Sequence, residues 1–268
     1  MRPYIDARML DRRALLAAAP ALLMASAARA TPGGLRWDGR YLLLRVRLNG
    51  KPVDALIDFN LRQMLLDRRH ASLLGLGLAG NDLVIEAAGR RLAPLKAAVI
   101  DLTDYANFAL RGRIGLVLGR DLFAQGPWLL DLAAPSLLPV TGERVRRGRP
   151  LPLSDRFGFA TIPITINGVT AQAALSFRDL EPIRVGAAFA ARVGLARPRG
   201  AAAVRNLAAM SGAVGVDRLD VAGIHFDDID ATLDASEHAP DVWLEAAILR
   251  RFRIGIELAA NRLWFDPA

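Results

Sequence analysis

A short segment near the start of the chain recurs 118 residues later, and this repeat limits the possible folds more than any other feature. Residues 48–60 read LNGKPVDALIDFN, and residues 166–178 read INGVTAQAALSFR. Both begin with an apolar residue and Asn-Gly, and both reach a short polar side chain followed by Phe. That polar residue is Asp58 in the first copy and Ser176 in the second. Internal similarity of this kind indicates one structural unit used twice.

Two further matches follow in the same order along the chain. LLGL at 73–76 matches RVGL at 192–195, one residue out of step with the first match. LLDLAAPSLL at 129–138 matches GIELAANRLW at 255–264. One similar segment arises easily by chance, but three in the same order indicate a duplication that spans most of the chain.

The local patterns predict the same elements in each half. YLLLRVRL at 41–48 and ATIPITI at 160–166 have the composition and partial alternation of strands. Asn-Gly follows each of them and is typical of a two-residue hairpin turn. The strand that returns from this turn is therefore the one that ends at Asp58 or at Ser176.

Short helices and further strands complete each half. Helix-like segments are predicted at 67–76, 119–124, 186–195 and 244–252. Most of the remaining sequence alternates like strands. A segment rich in Pro, Gly and charge, PVTGERVRRGRPLPLSDR, separates the halves and is typical of a linker. We therefore predict a first lobe at 31–140, a linker at 141–156 and a second lobe at 157–268.

Residues 1–30 have the layout of a secretory signal. Arg12-Arg13 precede a short apolar stretch, and an A-x-A pattern ends at Ala30, where we expect cleavage. The arginine pair fits twin-arginine export, and an ordinary Sec signal remains equally open. We expect an exported protein, periplasmic or secreted. No later stretch is long and apolar enough for a transmembrane span in the mature chain.

Composition argues against several classes of function. The net charge of +8 is carried almost wholly by arginines that are spread along the chain, whereas nucleic-acid binders cluster their basic residues. The chain has no cysteine, and its three histidines lack the spacing of metal ligands. We therefore expect no nucleic-acid partner, no metal and no nucleotide or redox cofactor.

The duplicated pattern resembles aspartic peptidases of the pepsin and retropepsin type, particularly bacterial proteins with two retropepsin-like halves in one chain. The resemblance covers roughly residues 38–267. It includes GLVLGRDLF at 115–123 and LEAAILRRF at 244–252, which look like the family's apolar-apolar-Gly segment and its following helix. It implies an all-β, bilobal fold of two pseudo-symmetric β-barrel-like lobes with a few short helices. It also implies a monomer that is an internal pseudo-dimer.

The family's chemistry needs one Asp from each half, about 3 Å apart and sharing a proton. One carboxylate acts as base on a water, and the other acts as acid towards the substrate carbonyl. The resemblance places Asp58 at the first catalytic position. Ser176 stands at the second position, so the partner acid is missing.

The residues around these two positions also depart from the family. The Thr that links the two catalytic triplets is Phe in both halves, and the Gly that follows is Asn or Arg. Gly119 is kept in the first apolar-apolar-Gly segment, but Glu245 lies near the corresponding place in the second. Met210-Ser211-Gly212 falls where the second flap is expected, and an ordinary hairpin turn fits it equally well. The candidate cleft residues are Phe59, Asn60, Phe177, Arg178, Met210 and Gly212.

Three hypotheses about function remain. The first is an exported, catalytically degenerate aspartic-peptidase-like protein that binds a peptide, a protein or another ligand between its lobes. The second is an active aspartic-type endopeptidase with an atypical site on Asp58, or one completed by another chain. The third is an unrelated β-barrel binding protein. Asp58 also fits a plain structural role, as a side chain that caps its own turn.

Overall fold

The structure is a computed structural model that describes residues 34–76, 82–103, 114–156, 158–195 and 212–268. The predicted signal segment and Met210 lie outside these residues. The described chain is mostly β-strand with a few short helices, as the repeat pattern predicts. Within these ranges, no helix is long and apolar enough to cross a membrane.

The first half contains twelve of the strands that the structure describes. Its elements are β1 (Leu35–Asp38), β2 (Tyr41–Leu48), β3 (Lys51–Ile57), β4 (Leu65–Asp67), α1 (Arg68–Leu73), β5 (Asp82–Leu83), β6 (Ile85–Ala87), β7 (Arg90–Arg91), β8 (Leu95–Lys96), β9 (Ala98–Ile100), β10 (Leu116–Leu118), α2 (Arg120–Phe123), β11 (Trp128–Asp131) and β12 (Ser136–Pro139).

The remaining described elements belong to the connecting segment and the second half. They are α3 (Gly142–Val145), β13 (Arg149–Pro152), β14 (Ser154–Arg156), β15 (Phe159–Ile166), β16 (Val169–Leu175), β17 (Ile183–Gly186), α4 (Ala187–Val193), β18 (Ala213–Val221), β19 (Ile224–Asp234), β20 (Val242–Leu244), α5 (Ala246–Leu249), β21 (Phe252–Glu257), a 3₁₀ turn (Leu258–Ala260) and β22 (Arg262–Pro267).

Both predicted Asn-Gly hairpins are present. β2 pairs with β3 and β15 pairs with β16, each pair antiparallel. Asn49 and Asn167 both have φ of 48°, and the glycine after each also has a positive φ, which a type I′ turn requires. Each Asn side chain accepts a backbone N–H at 2.9 Å, from Val84 in the first half and Arg218 in the second. The repeat therefore extends to single hydrogen bonds.

In each half, a late strand inserts beside the strand that ends at the candidate catalytic position. β10 lies parallel to β3 and antiparallel to β4. In the second half, β20 lies parallel to β16 and antiparallel to β17. The backbone N–H of Asp58 donates to the Leu118 carbonyl at 3.0 Å, and that of Ser176 donates to Leu244 at 2.8 Å. The two turns are thus held in equivalent ways.

A five-stranded sheet combines strands of both halves, in the order β12-β11-β21-β22-β13. At its centre Leu129 is opposite Gly255, and these two residues begin the third matched pair of sequence segments. A residue that pairs with its own repeat equivalent lies on the local two-fold axis. A Cβ at Gly255 would lie 2.1 Å from the Val145 carbonyl oxygen, so only glycine fits there.

The segment predicted as a linker carries regular structure. β13 pairs with β22, and β14 pairs with β15. One large cluster of buried apolar side chains includes residues of both halves, such as Leu44 and Ile164. The mostly β fold is confirmed, whereas the division into two barrel-like lobes stays a prediction.

Asp67 is the last residue of β4, and its side chain caps the N-terminus of α1. The residue is 5% exposed. Oδ1 accepts the N–H groups of Arg69 and His70 at 3.0 and 3.2 Å, and Oδ2 accepts that of Leu102 at 3.1 Å. Burial alone would raise the pKa of this carboxyl, but the hydrogen bonds from Leu102, His70 and Arg69 outweigh it and lower the pKa.

We expect Asp67→Ala to lower the free energy of unfolding by about 1–3 kcal/mol at pH 7, because a helix cap is lost and a buried N–H loses its acceptor. Since the folded pKa is lowered, the charged carboxylate stabilises the fold above the unfolded pKa of about 3.9. This contribution disappears as the pH falls through the folded pKa. Urea unfolding of wild type and variant between pH 7 and pH 3 checks this expectation.

Glu237→Ala removes a carboxylate that is exposed, and it is the matched control. It should change stability by less than about 0.5 kcal/mol. An Asp67→Ala loss that stays constant over the whole pH range would contradict a stabilising role for the charged form.

Candidate functional site

One cavity of about 380 Å³ brings the two candidate triplets together. Its lining includes Asp58 and Asn60 of the first half and Ser176, Phe177 and Arg178 of the second. Two candidates from the sequence do not line it: Phe59, which is buried, and Gly212 at the start of β18. Met210 lies outside the described residues.

Asp58 is partly exposed and serves its own turn. Its Oδ1 accepts the backbone N–H of Asn60 at 2.9 Å, and its carbonyl accepts that of Leu61 at 3.3 Å. This is the turn-capping role that the sequence left open. The same carboxylate also lines the cavity, so the capping role and a contact with a ligand are compatible.

Asn60 links the two halves at the position where the family has glycine. Its Nδ2 donates to the Leu175 carbonyl at 2.8 Å, across the boundary between the repeats. Its Oδ1 is buried and has no hydrogen-bond partner in the described structure. Neither Asn60 nor Arg178 is among the described residues with positive φ, so neither position needs glycine for its backbone conformation.

Ser176 occupies the position in the second half that is equivalent to Asp58. The residue is 5% exposed, and its Oγ accepts a hydrogen bond from Arg178 Nε at 3.1 Å. None of the three histidines lines the cavity. A serine hydroxyl needs an adjacent base to become a nucleophile, and the described lining supplies no histidine for that role.

Arg178 and Glu245 of the second half face each other. Glu245 precedes α5 as Gly119 precedes α2, which supports the alignment made from the sequence. Arg178 Nη2 lies 3.8 Å from Glu245 Oε1. A Cβ at Gly119 would lie 2.8 Å from the Leu61 carbonyl oxygen, so the first half has no room for such a side chain.

Glu245 is completely buried between two arginines. Its Oε1 accepts Arg184 Nε at 3.0 Å, in addition to the longer contact with Arg178. Burial is the largest effect on its pKa, and it raises the pKa despite the opposing effect of the two guanidinium groups. Arg184 is further paired with Asp234 at 3.2 Å. The positive charge of Arg178 is therefore balanced by fewer nearby carboxylates than that of Arg184.

Phe59 and Phe177, which follow Asp58 and Ser176, pack against each other. The ring centroids of Phe59 and Phe177 are 5.9 Å apart, and Phe59 also contacts Phe123 at 5.3 Å. All three rings are buried. An apolar contact thus joins the turns of the two halves.

Aromatic side chains that the sequence analysis missed form part of the cavity wall. Tyr41, Phe159 and Trp243 line it. Phe159 and Trp243 stack edge to face, with centroids 4.9 Å apart. Trp243 Nε1 donates to Asp234 Oδ2 at 2.9 Å, and the Arg184 guanidinium lies 4.7 Å from its ring centroid. The repeat could have indicated Trp243, because this residue lies on β20, the strand equivalent to β10.

The described residues contain no cluster of three or more His, Cys, Asp or Glu side chains that could hold a metal ion. The site thus consists of one carboxylate, one guanidinium, two uncharged polar side chains and an aromatic wall.

Comparisons with known proteins show the fold and no family. No family model matches the chain, and no curated protein matches it. Among solved structures, basic 7S globulin from soybean is 10% identical, with a TM-score of 0.54 over 87% of this chain and 94% of that chain. This likeness concerns the fold alone.

Two shorter likenesses are to peptidase-related structures. A retropepsin-like aspartic protease from Rickettsia conorii is 16% identical, with a TM-score of 0.27 over 38% of this chain and 76% of that one. The retroviral protease-like domain of Ddi1 from Leishmania major is 19% identical, with a TM-score of 0.24 over 32% and 73%. The fold of the chain is pepsin-like, as that of the soybean globulin is.

We expect Asn60→Asp to destabilise the protein by about 1–3 kcal/mol at pH 7. The change removes the N–H group that donates to the Leu175 carbonyl. It places a carboxylate oxygen next to that carbonyl oxygen, and two acceptors repel each other. Asn261→Asp makes the same change at an exposed site and should alter stability by less than about 0.5 kcal/mol. Urea unfolding measures both, and equal losses would contradict the role of Asn60 as a link between the halves.

Proposed function

We propose that the protein is an exported, aspartic-peptidase-like binding protein that holds a small ligand or part of a peptide in this cavity without hydrolysing it. The observation that carries the proposal is the hydrogen bond from Arg178 to Ser176 at the position of the second acid. A serine that is hydrogen-bonded to a guanidinium occupies the position at which peptide hydrolysis of this type needs a carboxyl group.

The proposed loss of catalysis follows from the lack of a group that can donate a proton to the substrate carbonyl. Asp58 alone supplies a base, but peptide hydrolysis of this type also needs an acid that protonates the substrate carbonyl. A guanidinium does not give up its proton in proteins, and a serine hydroxyl is a far weaker acid than a carboxyl group. Neither Arg178 nor Ser176 can take the acid's place.

The cavity has the properties of a binding site. Small-molecule sites have volumes of about 300–1,000 Å³ and apolar or aromatic walls with a few polar groups. A volume of about 380 Å³ with Tyr41, Phe159 and Trp243 in the wall fits the lower end of that range. This size favours a small ligand, or one or two residues of a peptide, over a long extended segment.

Export and a monomeric state are parts of the same proposal. Export is supported by the signal-like pattern of residues 1–30. A monomer is supported by the five-stranded sheet, because β11 and β21 make within one chain the symmetric contact that two copies make in a homodimer.

The second candidate is an active endopeptidase built on Asp58. The observation in its favour is that Asp58 remains, is partly exposed and lines the cavity. This candidate needs an acid from elsewhere, such as a second chain or the substrate.

Cleavage of a diverse peptide library separates the two candidates. Purified residues 31–268 and the Asp58→Asn variant are incubated with the library between pH 3 and pH 7, and both products and retained peptides are identified by mass spectrometry. We expect no cleavage by either protein and retention of a subset of ligands. Cleavage by the wild type that Asp58→Asn abolishes would establish the endopeptidase and overturn the proposal.

A further inference from the structure

Two neighbouring side chains of the cavity wall have hydrogen-bond donors that face no acceptor of the described structure. Arg178 and Ser176 both line the cavity, and the bond from Nε to Oγ joins them. Both belong to the turn that follows β16. Adjacent donors of which one carries a permanent positive charge form strong hydrogen bonds to an anionic oxygen. This part of the cavity therefore favours an oxyanion.

Arg178 keeps donors for a ligand while it stays bonded to Ser176. Within the described residues only its Nε has a hydrogen-bond partner, because Nη2 lies 3.8 Å from Glu245, beyond hydrogen-bond distance. The side chain is 35% exposed. A guanidinium has five N–H donors in a planar fork that matches a carboxylate. The Nη hydrogens of Arg178 can therefore bind a ligand carboxylate.

The hydroxyl of Ser176 adds a second donor beside the guanidinium. A hydroxyl has one O–H donor in addition to its acceptor sites. Oγ accepts from Arg178, and the part of the chain that the structure describes provides no acceptor for the hydroxyl hydrogen. A ligand oxygen at this wall would accept from Ser176 and Arg178 together.

The backbone holds this pair of donors in position. Tyr41 and Arg178 form an antiparallel bridge between the two halves. The Arg178 carbonyl also accepts the N–H of Ala246 at 2.9 Å. Groups that are already fixed lose little conformational entropy when a ligand binds, which favours affinity.

Asp58 lines the same cavity and is not part of this anchor. It has interactions within the protein, among them the hydrogen bond from the Asn60 N–H to Oδ1. Its negative charge repels an anion and lowers the affinity for one. The same repulsion keeps a ligand carboxylate on the side of Arg178 and Ser176.

We propose that the cavity recognises a carboxylate on an apolar or aromatic body, with the carboxylate at Arg178 and Ser176 and the body against the aromatic wall. This inference rests on the proposed binding function. The ligand chemistry is that of an apolar carboxylic acid, whether a small organic acid or the C-terminus of a peptide. A cavity of about 380 Å³ is large enough for the carboxylate and one side chain.

The aromatic wall favours an organic acid over an inorganic anion. Tyr41, Phe159 and Trp243 form this wall, and Phe159 packs edge to face against Trp243. Trp243 is held by its hydrogen bond to Asp234. An apolar body gains free energy when it leaves water for such a wall, and a free phosphate or sulfate ion has no group that would.

The test compares hydrocinnamate with hydrocinnamide by calorimetric titration at pH 7. The two probes share the phenyl body, and the amide lacks the negative charge. We expect hydrocinnamate to bind at least about tenfold more tightly, which corresponds to about 1.4 kcal/mol. N-acetyl-dialanyl-phenylalanine with a free C-terminus then distinguishes the sources. Tighter binding of this peptide than of hydrocinnamate would assign a peptide C-terminus, and the reverse order would assign a small acid.

Two variants remove the proposed donors one at a time. Arg178→Gln should weaken hydrocinnamate by at least about tenfold and leave hydrocinnamide within about twofold. Ser176→Ala should weaken hydrocinnamate by about tenfold with the same small effect on the amide. Arg251→Gln and Ser72→Ala make the same changes at exposed sites and should alter neither affinity.

Urea unfolding shows whether each variant is folded. If Arg178→Gln does not fold, Ser176→Ala and the preference of the wild type for the acid decide the question. Asp58→Asn should keep or increase that preference, because it removes a negative charge from the cavity. A preference that Asp58→Asn abolishes would contradict the assignment of the anchor to Arg178 and Ser176.

The outcomes separate this inference from the proposed function. Equal affinity for the acid and the amide, or no binding of either, overturns the carboxylate inference. In both cases, retention of library peptides without cleavage would still support a binding protein. Cleavage that depends on Asp58 would overturn the proposed function itself.

Discussion

The insertion of a late strand beside β3 and β16, which lead to Asp58 and Ser176, is the constraint on which the site depends. β10 and β20 pair with β3 and β16, and their last residues accept the backbone N–H groups of Asp58 and Ser176. These bonds involve only backbone atoms. The two turns therefore keep equivalent positions whatever their side chains are, and the chemistry of the site can change while its architecture remains.

The second half shows how such a change is accommodated. Arg178 and Glu245 lie against each other, with Nη2 and Oε1 3.8 Å apart. Taking a carboxylate out of water is costly, and two guanidinium groups offset the cost for Glu245. Removing either partner alone leaves a buried charge less compensated.

The sequence was sufficient for the parts of the fold that depend on local signals. The Asn-Gly turns, the strands around them and the short helices were predicted because turn chemistry and alternation act over a few residues. The repeat also identified Asp58 and Ser176 as equivalent positions, which their matching backbone bonds support.

The remaining features depend on contacts between distant segments. The five-stranded sheet was not predicted, and the segment taken as a linker supplies one of its strands, β13, because a Pro- and Gly-rich composition does not exclude edge strands. The aromatic wall and the contact between Arg178 and Glu245 were also missed. Their residues are far apart in sequence, and no local pattern indicates that they meet.

The central claim is that the cavity binds but no longer stabilises the transition state of peptide hydrolysis. The most direct test compares two peptides that differ only in a tetrahedral hydroxyl at the scissile position, which mimics the reaction intermediate. A working pair of carboxylates binds such a mimic at least about a hundredfold more tightly than the matched peptide. We predict affinities for this protein that agree within about threefold, and a preference of a hundredfold or more for the hydroxyl compound would contradict the account.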